Sequence, residues 1–173
     1  MLARRTLLLG GAAVLPAAHL SLSPAFAVDA LPDARFVGYA QSINDFEIGS
    51  GRIALAKSMN ENVRGFANRM VAEYTEAAQF LSKARQEAGV SYAPDPSAPP
   101  NTQAILQRLS VLEGPEFDTS YANAQLAVTA DWEQQVGAYS QSGGNGALRR
   151  YAQGQLPKVR MHLEYAQRLA GGR

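Results

Sequence analysis

The chain of 173 residues contains no cysteine. It therefore has no disulfide framework and no thiol that could carry the acyl chain of a lipoprotein. A chain of this length is typical of a single domain and can bury a sizeable hydrophobic core. Its stability must come from the packing of side chains.

The chain also lacks a large excess of charge of either sign. It has 16 Lys and Arg against 15 Asp and Glu. Two of the basic residues, Arg4 and Arg5, precede residue 28 and no acidic residue does, so residues 28–173 carry 16 − 2 = 14 basic and 15 acidic side chains, a net charge of −1. This balance gives no electrostatic footprint for nucleic acid or an anionic membrane, and we predict neither as a partner.

Complete catalytic motifs are missing as well. His162 is the one histidine after residue 27, and the sequence contains no Glu-x-x-His pair of the kind that builds di-iron sites in helical bundles. A Ser-His-Asp triad would have to use His162, and no serine stands in a recognisable order with it. The sequence leaves enzymatic activity open but favours a protein that is not an enzyme.

One glycine-rich segment has the spacing of a dinucleotide-binding turn. It is Gly49-Ser50-Gly51-Arg52-Ile53-Ala54. Such a turn needs a preceding β-strand, whereas this segment lies inside a helical pattern. Chance, or close packing of two helices through small residues, is the better interpretation.

The N-terminal 27 residues have the pattern of a signal peptide. Residues 1–5 are basic, residues 6–22 are apolar, and Ala25-Phe26-Ala27 is a small-x-small cleavage site. The apolar stretch is shorter than the roughly 20 residues that span a bilayer. We predict a signal peptide over residues 1–27 and one mature domain over residues 28–173.

This signal predicts a periplasmic or secreted protein. The adjacent Arg4 and Arg5 are compatible with a twin-arginine signal, which exports folded proteins, but paired arginines also occur by chance in basic starts. The general secretory route is favoured over the twin-arginine route. No transmembrane segment is expected after cleavage.

The spacing of apolar residues in the mature chain predicts four long helices and one short helix. The predicted helices run from Asp33 to about Ser58, from the capping residue Asn60 to Gly89, from Thr102 to Glu113, from Pro115 to the glycines at 143–146, and from about Ala147 to Ala170. Asp33 is also a predicted N-terminal cap.

The inward-facing stripes of the four long helices follow from the same spacing. The predicted core positions are Phe36, Ala40, Ile43 and Ala54; Val63, Ala67, Met70, Ala77, Leu81 and Ala84; Phe117, Tyr121, Ala124, Val128 and Tyr139; and Leu148, Ala152, Val159, Ala166 and Leu169. On the opposite faces, two pairs of opposite charge stand four residues apart, Arg69 with Glu73 and Lys83 with Glu87.

An internal similarity within the sequence indicates that these helices form two hairpins. Residues 63–68 resemble residues 148–153 at an offset of 85, and a connection with four prolines separates the two hairpins at residues 90–101. A connection of about 25 residues can cross the length of a bundle. We predict an all-α, ferritin-like four-helix bundle with a long Pro-rich crossover and a short extra helix, and an up-down bundle with a decorated loop is the alternative.

Each long helix places one conspicuous residue on its inner stripe. These residues are Glu47, Tyr74, Trp132 and His162. Glu47 and Tyr74 should lie within roughly one helical turn of the same level, since they are at similar distances from the first hairpin turn. Whether Trp132 and His162 share a level depends on the bend expected at Pro157.

Two interpretations of these residues stay open. In the first, Glu47, Tyr74 and His162 form a buried metal or proton-transfer site, with Glu73, Trp132 and Glu133 around it; Glu73 or Glu133 would have to turn inward to complete a set of metal ligands. In the second, Tyr74 and Trp132 are core aromatics, and Glu47 and His162 satisfy each other or a helix carbonyl. The second interpretation is favoured.

The sequence resembles the domain-of-unknown-function 4142 family of exported bacterial proteins. The resemblance rests on Asp45-Phe46-Glu47-Ile48-Gly49, residues 63–74, Phe117-Asp118 with Tyr121, and residues 156–163. It implies a ferritin-like fold and histidines at the positions of Tyr74 and Trp132, beside counterparts of Glu47 and His162. One glutamate and three histidines would make a credible metal site, and here two of the histidines are replaced.

Three hypotheses for function follow. The first is a non-enzymatic scaffold, an envelope interaction or stress module with a degenerate metal site and no cofactor, whose partner is an envelope protein or a second copy of the chain. The second is a metal-binding or redox protein that uses Glu47, Tyr74 and His162 to hold a transition metal. The third is a binding protein that holds a small apolar ligand between its helices.

Overall fold

A computed structural model describes residues 28–91 and 102–172. Both ranges are helical apart from short links, and they contain no strand. The predicted signal peptide at residues 1–27 and the four prolines of the connection lie outside the described residues. No helix in the described ranges is long and apolar enough to cross a membrane.

Five helices follow one another along the chain. They are α1 (Asp33–Lys57), α2 (Glu61–Ala88), α3 (Thr102–Val111), α4 (Gly114–Ser142) and α5 (Gly146–Ala170). The predicted order of helices is confirmed. The short α3 ends at Val111, two residues before the predicted end at Glu113. The chain leaves the helix here because Gly114, the first residue of α4, has a positive φ of 56°.

The helix ends follow local side-chain chemistry. Asn60 caps α2 by accepting hydrogen bonds from the backbone N–H groups of Asn62 and Val63, and Gly89 ends α2 in the left-handed conformation. The prediction that Asp33 caps α1 is wrong. Asp33 makes no capping hydrogen bond, because its carboxylate accepts a hydrogen bond from the Tyr139 hydroxyl at 2.5 Å.

The four long helices surround one hydrophobic core. The predicted inward positions are buried, except that Ala124 and Leu169 are partly exposed. α1 packs along α2 and α4 packs along α5, each pair joined by a three-residue link, and the two pairs meet through α2 with α5 and α1 with α4. The core is therefore shared by two helical hairpins.

Contacts along the helices give their directions. On α1 and α4, Ser50 bonds to Gln125 and Asp33 bonds to Tyr139, so these two helices are antiparallel. α2 is also antiparallel to α1, since a short link joins them. α2 and α4 therefore run in the same direction, and the ion pair of Lys57 with Glu113 places the start of α4 beside the end of α1, where α2 also begins.

The glycine-rich segment of α1 serves helix packing. A Cβ atom on Gly51 would lie 2.7 Å from Val71 Cγ2 and 3.1 Å from the Ala67 carbonyl oxygen, so only glycine allows α2 to approach this closely. A Cβ on Gly49 would touch Leu106 of α3. Close helix packing thus accounts for the spacing that resembles a dinucleotide-binding turn.

Candidate functional site

The four conspicuous residues on the inner stripes are all buried. Glu47, Tyr74, Trp132 and His162 expose between 0% and 3% of their surface. They come from α1, α2, α4 and α5 respectively, so each long helix contributes one of them to the interior. Their surroundings differ, however, and the structure brings only three of them together.

Glu47, Tyr74 and His162 are neighbours. The rings of Tyr74 and His162 have centroids 5.4 Å apart and are tilted by 41°. The charge of Glu47 acts on Tyr74, whose pKa is raised well above its ordinary value, first by burial and second by that charge. These three residues, with Gln125 beside Glu47, are here called the polar cluster.

The carboxyl group of Glu47 is enclosed without a bonding partner. Neither of its oxygens has a hydrogen bond within the described part of the chain. Burial raises its pKa from 4.5 to about 8, and the nearby amide of Gln125 moderates this shift. That amide donates its own hydrogen bond to Ser50 Oγ at 2.9 Å. At neutral pH Glu47 is therefore mainly a protonated, uncharged carboxylic acid.

His162 is held by a carboxylate that reaches in from the surface. Its Nε2 lies 2.7 Å from Glu73 Oε2, and the Glu73 side chain is 25% exposed. Burial lowers the pKa of His162, although Glu73 opposes the shift. A largely neutral imidazole then donates its Nε2–H to Glu73, and Nδ1 is left in the interior with no partner in residues 28–91 and 102–172.

Trp132 belongs to a different cluster. Its ring stacks on Phe36 with centroids 5.9 Å apart and on Tyr39 at 5.7 Å, and Tyr139 stacks on Phe36 at 3.7 Å. These four residues are here called the aromatic cluster. The indole has an N–H donor and no lone pair for a metal, so Trp132 contributes apolar surface rather than a ligand.

Glu73 and Glu133, the two glutamates considered as additional metal ligands, behave differently from each other. Glu73 reaches His162, as described above, and also lies 3.5 Å from Arg69 across one turn of α2. Glu133 instead pairs with Arg160 at 2.9 Å on the surface between α4 and α5. Glu47 and His162 do not bond to each other, so the expected mutual satisfaction of these two groups is not what the structure contains.

Sequence reasoning missed several polar residues of the interior. Among the described residues, the further buried side chains with at least one unpartnered polar atom are Tyr39, Asn44, Tyr121, Gln125, Thr129 and Tyr151. Tyr121 was predicted to point inward, but Gln125 and Thr129 were not singled out. Both lie four residues apart on the same face of α4 as Tyr121, and that spacing was the available signal.

The donor atoms of the polar cluster form a small set for a metal ion. Glu47 offers a carboxyl, Tyr74 a phenol and His162 an imidazole Nδ1, whereas structural metal sites in proteins commonly use four ligands. Within the described ranges, no group of three or more His, Cys, Asp or Glu residues comes together in a way that could hold a metal. The residues present therefore do not fit a tightly bound ion.

Comparison with known proteins identifies a family for the chain. No curated protein and no solved structure matches the chain. A family model described as a domain of unknown function (DUF4142) matches residues 20–169. Because this match covers most of the sequence, the chain belongs to the DUF4142 family.

Proposed function

We propose that this protein is an exported, non-enzymatic helical bundle that acts in the cell envelope through contacts with other proteins. In this proposal the bundle is ferritin-like, with two hairpins joined by a crossover, and its ancestral metal site is lost. The parallel course of α2 and α4 supports the crossover. The pattern of residues 1–27 supports export.

One observation is the main support for the proposed loss of the metal site. The position where family resemblance implies a histidine on α4 holds Trp132, and its ring is stacked between Phe36 and Tyr39 in the core. The corresponding position on α2 holds Tyr74, and a phenol is a weaker ligand for a transition metal than the imidazole that the resemblance implies there.

A second candidate function rests on a different observation. The contact between Glu73 and His162 is the arrangement that fixes the imidazole of many metal ligands, with one ring nitrogen on a carboxylate and the other free for the metal. A weakly bound transition metal would use His162 Nδ1, Glu47 and Tyr74, and would supply Lewis-acid or redox chemistry. This alternative is a metal-binding or redox protein.

Metal content separates the two candidates. The wild-type protein and His162→Ala are purified from the periplasmic fraction without chelator, equilibrated with zinc, iron or manganese, desalted and examined by elemental analysis. We expect less than stoichiometric metal in both proteins. We also expect the intact mass of each protein to correspond to a chain whose first residue is Val28. One equivalent of metal in the wild type that disappears in His162→Ala would overturn the first proposal and support the second.

A further inference from the structure

The two seams between the helical hairpins differ in how they are covered. α3 packs over α1 and also touches α4, so it lies on the α1–α4 side of the core. The α2–α5 seam carries two surface pockets instead, one toward each end, with the contacts from Glu73 to His162 and from Glu76 to Lys158 between them. The pocket nearer the α4–α5 link is here called the seam groove.

The seam groove is an apolar cleft of about 300 Å³, at the lower end of the range for small-molecule sites. Its residues are Phe80, Lys83, Ala84 and Glu87 of α2 with Ala147, Arg150, Tyr151, Gly154, Gln155 and Lys158 of α5. Small side chains leave the space open, and a Cβ on Gly154 would meet no atom within 4 Å. An exposed glycine inside a helix lowers the stability of the folded protein by about 0.5–1 kcal/mol relative to alanine.

Phe80 exposes its ring at the edge of this groove. It is 48% exposed and is the one aromatic side chain among the large exposed hydrophobics of the described residues. The Gln155 side chain lines the groove and is 7% exposed. The groove thus combines apolar surface with a buried amide.

The rim of the groove is positively charged. Arg150 pairs with Glu87 and Lys158 pairs with Glu76, each at 3.0 Å. Lys83 has no ion pair within the described ranges, because Glu87, four residues after it, is turned to Arg150 instead. A ligand that binds here meets one uncompensated cation beside an apolar floor.

We propose that the seam groove binds an amphipathic anion, a free medium-chain carboxylate whose head group pairs with Lys83 and whose alkyl chain lies against Phe80 and Gly154. Charge complementarity selects the head group, since the carboxylates of Glu87 and Glu76 pair with Arg150 and Lys158 and leave the charge of Lys83 to an anionic ligand. The small volume selects a short chain rather than a whole lipid. This site is separate from the polar cluster and goes beyond the proposed envelope role.

The test uses octanoate as the probe, with residues 28–173, which carry all five helices. Binding is measured by isothermal titration calorimetry and mapped by amide chemical shifts. We expect hexanoate to bind about tenfold more weakly than octanoate, because two methylene groups are lost, and octanol to bind a few-fold more weakly because it has no charge. The largest shifts are expected at Ala84 and Gly154.

Two variants and one matched control identify the site. Gly154→Leu places a bulky side chain in the groove, where its Cβ meets no atom within 4 Å, and should weaken octanoate binding at least about tenfold. Lys83→Gln should weaken octanoate a few-fold and leave octanol unchanged. Gly65→Leu is the control, because Gly65 is also an exposed glycine inside a helix with no atom within 4 Å of its Cβ, at the other end of the seam.

Three results would overturn the proposal. The first is that Gly154→Leu and Gly65→Leu bind octanoate equally well. The second is that octanol binds as tightly as octanoate in the wild type, which would make the groove a site for neutral ligands. The third is a dimer in sedimentation analysis that Phe80→Glu dissociates, since a second copy of the chain would then cover the groove.

Discussion

One core contains two clusters of opposite character. The aromatic cluster of Phe36, Tyr39, Trp132 and Tyr139 is packed ring on ring, and its Tyr139 hydroxyl is bonded to Asp33, while the buried Tyr39 hydroxyl has no partner in the described residues. The polar cluster around Glu47 encloses a carboxyl, a phenol and an imidazole nitrogen that have no partner within the described residues. Both draw on α1, where Phe36 and Glu47 are 11 residues and about 16 Å apart.

The aromatic cluster and the polar cluster should have opposite effects on the stability of the folded protein. Stacked aromatic rings bury large areas and add about 0.5–1.5 kcal/mol per pair beyond that burial. A buried polar group without a partner costs about 1–3 kcal/mol instead. We therefore expect the aromatic cluster to carry stability and the polar cluster to be its weak point, as is common where a site is or once was functional.

Trp132→Ala should have the largest effect on stability. Removing the ring leaves a cavity between Phe36 and Tyr39, and we expect the free energy of unfolding to fall by about 3–5 kcal/mol in urea denaturation. Phe80→Ala is the matched control, because this aromatic side chain is half exposed and its loss should cost about 0.5 kcal/mol or less. A loss of under about 1 kcal/mol for Trp132→Ala would show that the aromatic cluster does not anchor the core.

The second prediction concerns the pH dependence of stability. The pKa of Glu47 is about 8 in the folded protein and near 4.5 when unfolded, so the folded state binds more protons between these values. Stability from the protonated carboxyl is fully present below pH 4.5 and is lost as the pH rises toward 8. The loss should amount to a few kcal/mol.

Glu47→Gln isolates this contribution. The amide cannot ionise, so urea denaturation from pH 5 to pH 8 should show the wild type losing stability relative to Glu47→Gln as the pH rises. His162 is common to both proteins, and its lowered pKa makes it act in the opposite direction, costing stability as the pH falls. Parallel stability curves for the two proteins would mean that Glu47 is ionised in the folded state.

The sequence predicted the buried face of each helix more accurately than it predicted which side chains form hydrogen bonds or ion pairs with each other. Helix periodicity gave the order of five helices and the burial of Glu47, Tyr74, Trp132 and His162, because burial depends on the face of the helix alone. Partner choice depends on rotamers and on how neighbouring helices are placed. Arg69 with Glu73 was predicted correctly from spacing, whereas Glu87 pairs with Arg150 rather than with Lys83.

Two tyrosine hydroxyls, one from each cluster, offer the finest comparison. Tyr139 donates to the Asp33 carboxylate, while the buried hydroxyl of Tyr74 has no partner in the described part of the chain. Tyr139→Phe should lower the free energy of unfolding by about 1–2 kcal/mol, since a hydrogen bond to a charged group is lost. Tyr74→Phe should leave stability unchanged or raise it by up to about 1 kcal/mol, since it removes an unsatisfied polar group.

Both variants remove one oxygen from a buried tyrosine, so each is the control for the other in urea denaturation at pH 7. Equal losses in the two would contradict the contrast between the clusters. A loss of more than about 1 kcal/mol for Tyr74→Phe would mean that its hydroxyl is bonded in solution. Because Tyr74 lies beside Glu47 and His162, that result would favour a bound ion or molecule in the polar cluster, and so the metal-binding alternative over a lost site.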